Sequence, residues 1–128
     1  SCSACHRFGP VPGRAVGPDL AVVKDRSPEY LIGHILDPNR AVEDRYLFYT
    51  ANLADGRTAV GMLAAESAGS LTLLGLDGEE QVILRSELRT LISSGRSLMP
   101  EGLEAAVDAQ AMADLVAFLA DPGATGVR

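Results

Sequence analysis

The chain has 128 residues and a formal net charge of -6, from 11 basic and 17 acidic side chains. That length suits one domain, residues 1–128, with a modest core, and the acidic balance disfavours nucleic acid and anionic membranes as partners. No run reaches the roughly 18 uninterrupted apolar residues of a membrane span and no signal peptide is recognisable, so the chain reads as a mature or excised piece.

The acidity is concentrated at one end. Residues 101–128 carry one basic and five acidic side chains, against six and six in residues 1–45. Such a surface suits a partner with a complementary basic patch, or is simply a solvated face that keeps the protein soluble. Aromatic residues make up 5% and tryptophan is absent, which fits a core whose bulk comes partly from a bound group.

The first element is Cys2-Ser3-Ala4-Cys5-His6. Two thiols three residues apart can both add to haem vinyl groups while the adjacent imidazole reaches the iron, so the pentapeptide is the signature of covalent haem c attachment. A structural zinc site needs four ligands, and the chain offers no third cysteine and one further histidine, His34. A thioredoxin-like pair would follow a strand; a plain disulfide between Cys2 and Cys5 stays open as a reading but would leave His6 without a role.

The run 7–18 holds Gly9, Pro10, Pro12, Gly13, Gly17 and Pro18 and reads as an aperiodic loop. Ser27-Pro28-Glu29 opens a helix, with a capping hydroxyl, proline at the first position and an acid in the first turn. It runs to about Leu36 and ends at Asp37-Pro38-Asn39. His34 on this helix reads as a surface or hydrogen-bonded residue rather than an iron ligand. Arg26 and Arg40 are candidates to pair with a haem propionate.

From Arg45 the period changes to two. Tyr46 to Leu53, Arg57 to Ala64, Leu71 to Leu76 and Glu80 to Leu84 read as strands of an antiparallel meander, separated by Asp55-Gly56, Ser67-Ala68-Gly69 and Asp77-Gly78. The first strand is apolar on both faces, either as a two-sided core strand or as a surface for a partner or second copy. Ser86 to Ser94 is ambiguous between a short helix and a strand. Asp108 caps a last helix from Ala109 to about Ala120, with Met112, Leu115, Val116 and Leu119 in one apolar stripe that something must cover. Asp121-Pro122-Gly123 should end it, leaving a frayed tail.

Haem iron held by histidine commonly takes methionine on its other side in electron carriers. Met62 lies in a strand pattern and Met112 on the apolar stripe, where both read as core. Met99 stands in Ser97-Leu98-Met99-Pro100-Glu101-Gly102, a loop in which no helix or strand pattern accounts for it, and is the candidate sixth ligand.

CSACH, Gly17-Pro18-Asp19-Leu20, Ser97-Leu98-Met99-Pro100 and the terminal Asp114-Leu115-Val116-Ala117-Phe118-Leu119 occur in the order of class I c-type cytochromes. With its long middle, the chain resembles the haem-binding domain of the Planctomycetes and Verrucomicrobia type. The resemblance implies haem c contacted by Cys2, Cys5, His6, Gly17, Pro18, Leu20, Leu98, Met99 and Pro100, with His6 and Met99 on the iron. It implies that the carbonyl of Pro18 accepts the Nδ1–H of His6, and that Leu20 packs on the ring. It also implies a periplasmic or secreted location, since haem c is attached outside the cytoplasmic membrane.

The expected fold is α+β: a cytochrome c-like helical haem domain with an antiparallel β meander inserted at about 45–92 and the usual N-terminal helix missing. The expected role is a one-electron carrier, not an enzyme, serving a redox partner such as a dehydrogenase with a basic patch, with a possible homodimer through the insertion. A haem-based gas sensor or weak peroxidase with a labile methionine is the alternative, and a structural docking module is a third reading.

Overall fold

The structure is a computed structural model that describes residues 2–121. It corrects the expected fold. Its main body is a five-stranded antiparallel sheet, accompanied among the described residues by two α-helices, rather than a helical cytochrome c domain carrying an insertion.

The strands are β1 (Leu47–Leu53), β2 (Thr58–Glu66), β3 (Ser70–Leu74), β4 (Glu80–Leu84) and β5 (Leu88–Ser97). Period-two alternation and the tight turns between strands make the first four a meander. The fifth returns to pair with β1, giving the order β4-β3-β2-β1-β5. Only residues 85–87 join β4 to β5. Four chain steps reach at most about 14 Å, whereas four flat interstrand spacings would separate these strands by about 19 Å. The sheet must therefore curl towards a barrel, with one face enclosed.

That enclosed face is the first of two cores. Ala51, Leu53, Ala59, Leu71, Leu73 and Ile83 are buried in it, with Tyr49, Leu63, Leu88 and Leu91 packed around them. Leu71, Leu73 and Ile83 are 1% exposed, so the middle of the sheet is closed to water.

β5 was ambiguous in the sequence because it is bulged. Residue Arg89 is extra opposite the step from Asn52 to Leu53, and residues 94–96 stand opposite Phe48 alone. Its partly buried positions are accordingly Leu88, Leu91, Ser94 and Ser97, three apart, which imitates a helical period. The hydroxyl of Ser94 takes part in the wider bulge, donating to the Phe48 carbonyl at 2.9 Å and accepting from the Arg96 amide at 3.0 Å.

The second core is helical. α1 (Pro28–Leu36) and α2 (Ala109–Ala120) pack together, burying Leu31 against Met112, Val116 and Leu119. The stripe on α2 is thus covered from within the chain, by α1 and by Phe8, whose ring meets Phe118 at a centroid distance of 4.8 Å. Arg26 reaches the end of α2, donating to the carbonyls of Leu119 at 2.7 Å, Ala21 at 2.5 Å and Leu20 at 3.2 Å. A cation suits that helix end, because carbonyls lack partners there. The proposed ends of both helices hold, with Ser27 and Asp108 as side-chain caps. The expected tail beyond Asp121 lies outside the described residues. Among those described, no helix is long and apolar enough to cross a membrane.

Val16 and Met62 are buried, at 4% and 5% exposure, yet belong to neither core. Arg14 joins the N-terminal loop to the β3–β4 turn by donating to the Asp77 carbonyl. A cleft of about 460 Å3 lies there, with Arg7, Arg14 and Val16 on one side and Leu74, Asp77 and Glu80 on the other.

Two outcomes follow. Ile83→Ala should cost about 2–5 kcal/mol in urea unfolding, and Val82→Ala, at a side chain 65% exposed, under about 0.5 kcal/mol. Equal costs would mean that the enclosed face is not the core. The second concerns the start of α1. The backbone N–H and then the hydroxyl of Ser27, both donated to Asp25, hold the Asp25 carboxyl below its usual range. With the folded value below the unfolded one of about 3.9, the contribution is complete above that pH and fades as acid protonates the folded group. The protection of the Tyr30 amide, its exchange rate taken relative to an unprotected amide at the same pH, should therefore fall on acidification below about pH 4, and Asp25→Asn should weaken that dependence.

Candidate functional site

The N-terminal motif is a single helical turn. Cys2–Ala4 is 3-10 helical, and the amides of Cys5 and His6 both donate to the Cys2 carbonyl, at 3.1 and 2.9 Å. On such a turn residues i, i+3 and i+4 share a side, so Cys2, Cys5 and His6 are neighbours on one face. Both cysteines are free thiols, Cys2 exposed and Cys5 half-buried. Among the described residues, no three His, Cys, Asp or Glu side chains gather so as to hold a metal ion by themselves.

The following loop wraps back over this turn. Arg14 donates its amide to the Ser3 carbonyl at 3.1 Å, and Val16 and Gly17 donate theirs to the Cys5 carbonyl at 3.0 and 2.7 Å. Leu20 closes the loop by donating to the Arg7 carbonyl at 2.9 Å. The Ser3 and Cys5 carbonyls of the turn are therefore satisfied by a loop that carries no regular structure of its own.

Two contacts fix the imidazole. His6 Nδ1 lies 2.8 Å from the carbonyl oxygen of Pro18, the bond that the resemblance implies. A hydrogen on Nδ1 donated to that carbonyl leaves Nε2 with its lone pair, the form that ligates a metal. Gly17 packs flat against the ring: a Cβ there would stand 2.5 Å from Cε1 and 2.8 Å from Nδ1 of His6. Only glycine fits without displacing the ring.

Neither a family model nor a curated protein matches this sequence. The functional reading rests on the residues themselves.

The other expected site residues are distributed as follows. Leu20 packs against the helical core beside Phe8. Leu98 and Met99 are half-buried and Pro100 is exposed, in the segment that leaves β5. The amide of Met99 donates to Ser97 Oγ at 3.0 Å. No hydrogen bond or ring contact among the described residues joins His6 directly to Met99; they belong to separate segments, one tied to the helical core and one extending from the sheet. Arg26 is committed to carbonyls at the end of α2, and the Arg40 guanidinium lies over Gly33 of α1. His34 packs its ring on Tyr30, with centroids 4.3 Å apart.

Sequence reasoning missed Gly13, whose α-carbon lies so close to the His6 carbonyl that no side chain can be added. It also missed Asn39, which contacts the methionine segment. For Gly13 the signal was present in the glycine and proline density of the loop; for Asn39 there was none beyond a helix stop.

Gly17→Ala tests the imidazole's setting. The added methyl must push the ring off the Pro18 carbonyl, at an expected cost of about 1–3 kcal/mol, and the hydrogen-bonded Nδ1 proton of His6 should disappear from the NMR spectrum.

Proposed function

We propose that the chain is an electron-transfer haem c protein, in which Cys2 and Cys5 would hold the porphyrin through their thiols and His6 and Met99 would ligate its iron. The observation that carries this reading is the 2.8 Å hydrogen bond from His6 to the Pro18 carbonyl. It directs the imidazole and raises the basicity of Nε2, which is the support a metal-bound histidine characteristically has. Two free thiols on the same helical turn supply the attachment chemistry.

The haem would supply a reversible one-electron couple. The protein's own residues would do the rest. Pro18 and Gly17 keep the imidazole from rotating, so that ligation changes little between oxidation states. Met99, as a thioether ligand alongside histidine, would favour the reduced form and raise the potential. Leu98 and Pro100 flank Met99 and would limit access of water. The reading includes a periplasmic or secreted location and a redox partner whose basic patch meets this acidic chain.

Spectra of the oxidised and reduced protein, matured where haem c can be attached, test this directly. A thioether-to-iron charge-transfer band is expected, and Met99→Ala should abolish it and lower the potential by about 0.1 V or more, within the roughly 0.8 V that axial ligands span. Attached haem without that band, and with ready carbon monoxide binding to the reduced form, would favour a gas sensor or weak peroxidase instead. Absence of covalent haem would remove the proposal.

A further inference from the structure

The segment that carries Met99 is held at both ends by one side chain from elsewhere in the chain. Asn39 lies in the tight turn after α1, where Pro38 is buried and the Arg40 amide donates to the Asp37 carbonyl at 3.2 Å. Its Oδ1 accepts from the Ser97 amide at 2.9 Å, and its Nδ2 donates to Glu101 Oε1 at 2.6 Å. These partners are 58 and 62 residues away and stand on either side of Leu98-Met99-Pro100.

The bulge in β5 explains why the two meet. Residues 94–96 stand opposite Phe48 alone, which bends the end of the strand away from a regular ladder and leaves the Ser97 amide facing Asn39. Arg96 adds a second donor to Glu101 Oε1, at 2.8 Å. That ion pair is more than half exposed and contributes little by itself. The partly buried bond from the Ser97 amide to Asn39 is the stronger hold, because an unpaired backbone donor there loses its partner without full access to water. Inside the segment, Ser97 Oγ accepts from the Met99 amide, so fixing Ser97 fixes the backbone at the methionine.

The connection continues beyond the segment. α1 packs through Leu31 on α2 and on Phe8, two residues after His6. Asn39 is therefore the hydrogen-bonded tie between the sheet-borne methionine segment and the helical half that carries the histidine turn.

We infer that Asn39 is a positioning residue for Met99: it clamps residues 97–101 to the turn after α1 and so sets how firmly the thioether is presented. This rests on the haem reading given above. Loosening the clamp raises the fraction of molecules with Met99 withdrawn, and an external ligand then binds in proportion to that fraction.

The test uses the full chain with and without haem. In the haem-free chain, Asn39→Ala should speed amide exchange at Met99 about ten-fold while the amides of β2 and β3 keep their rates. Unchanged exchange at Met99 overturns the clamp. In the haem-loaded chain, imidazole, which displaces a weakly held thioether, should bind Asn39→Ala about ten-fold more tightly, equivalent to about 1.4 kcal/mol. The double variant Asn39→Asp with Glu101→Gln keeps an acceptor for Ser97 and reverses the donor between positions 39 and 101, so it should return imidazole affinity towards that of the parent. Unchanged imidazole affinity in Asn39→Ala, or no recovery in the double variant, overturns the positioning role. If the parent takes up no haem, the functional proposal fails by that result alone, and amide exchange still decides whether Asn39 clamps the segment.

Discussion

The structure around the N-terminal motif depends on a loop satisfying the backbone of a single helical turn. A turn this short has no internal ladder to hold it, and nucleating one costs more than its first hydrogen bond returns. Here the carbonyls of Ser3, Cys5 and Arg7 accept amides of Arg14, Val16, Gly17 and Leu20. The same wrapping brings the Pro18 carbonyl to His6 Nδ1. Folding of the loop and orientation of the imidazole are thus one event, and glycine at positions 13 and 17 is the steric condition for it.

Around that turn the chain builds two cores by different means. The sheet encloses aliphatic side chains by curling, because its outer strands are joined by a link too short to cross a flat sheet. The helical core relies on α1, α2 and Phe8 covering one another, with Arg26 bridging the loop to the end of α2. Between them lie the Arg14–Asp77 contact and an open polar cleft lined in part by Val16. The two residues that would ligate the iron come from different parts of the chain: His6 lies two residues before Phe8 of the helical core and Met99 follows the last strand. A carrier that keeps both ligands through a redox cycle needs the two halves fixed relative to each other. The α1 end and Asn39 supply a direct bond for that purpose.

The sequence by itself determined the local chemistry. CSACH needs only its spacing to place two thiols and an imidazole on one turn, and Ser27, Pro28 and Asp108 announce helices through groups that act within a few residues. The first four strands were legible because turn residues and alternation are also local. What tertiary structure alone decided depends on partners far apart in the chain. Whether the meander is an insertion or the body of the fold turns on β5 pairing with β1, about forty residues away, and bulges in β5 disguised its period as helical. The cover of the α2 stripe comes from Phe8 and α1, which no periodicity within α2 can reveal. Asn39 is the plainest case. In sequence it is one residue of a helix stop, and only the bent end of β5, carried across by the sheet, gives its amide a segment to hold.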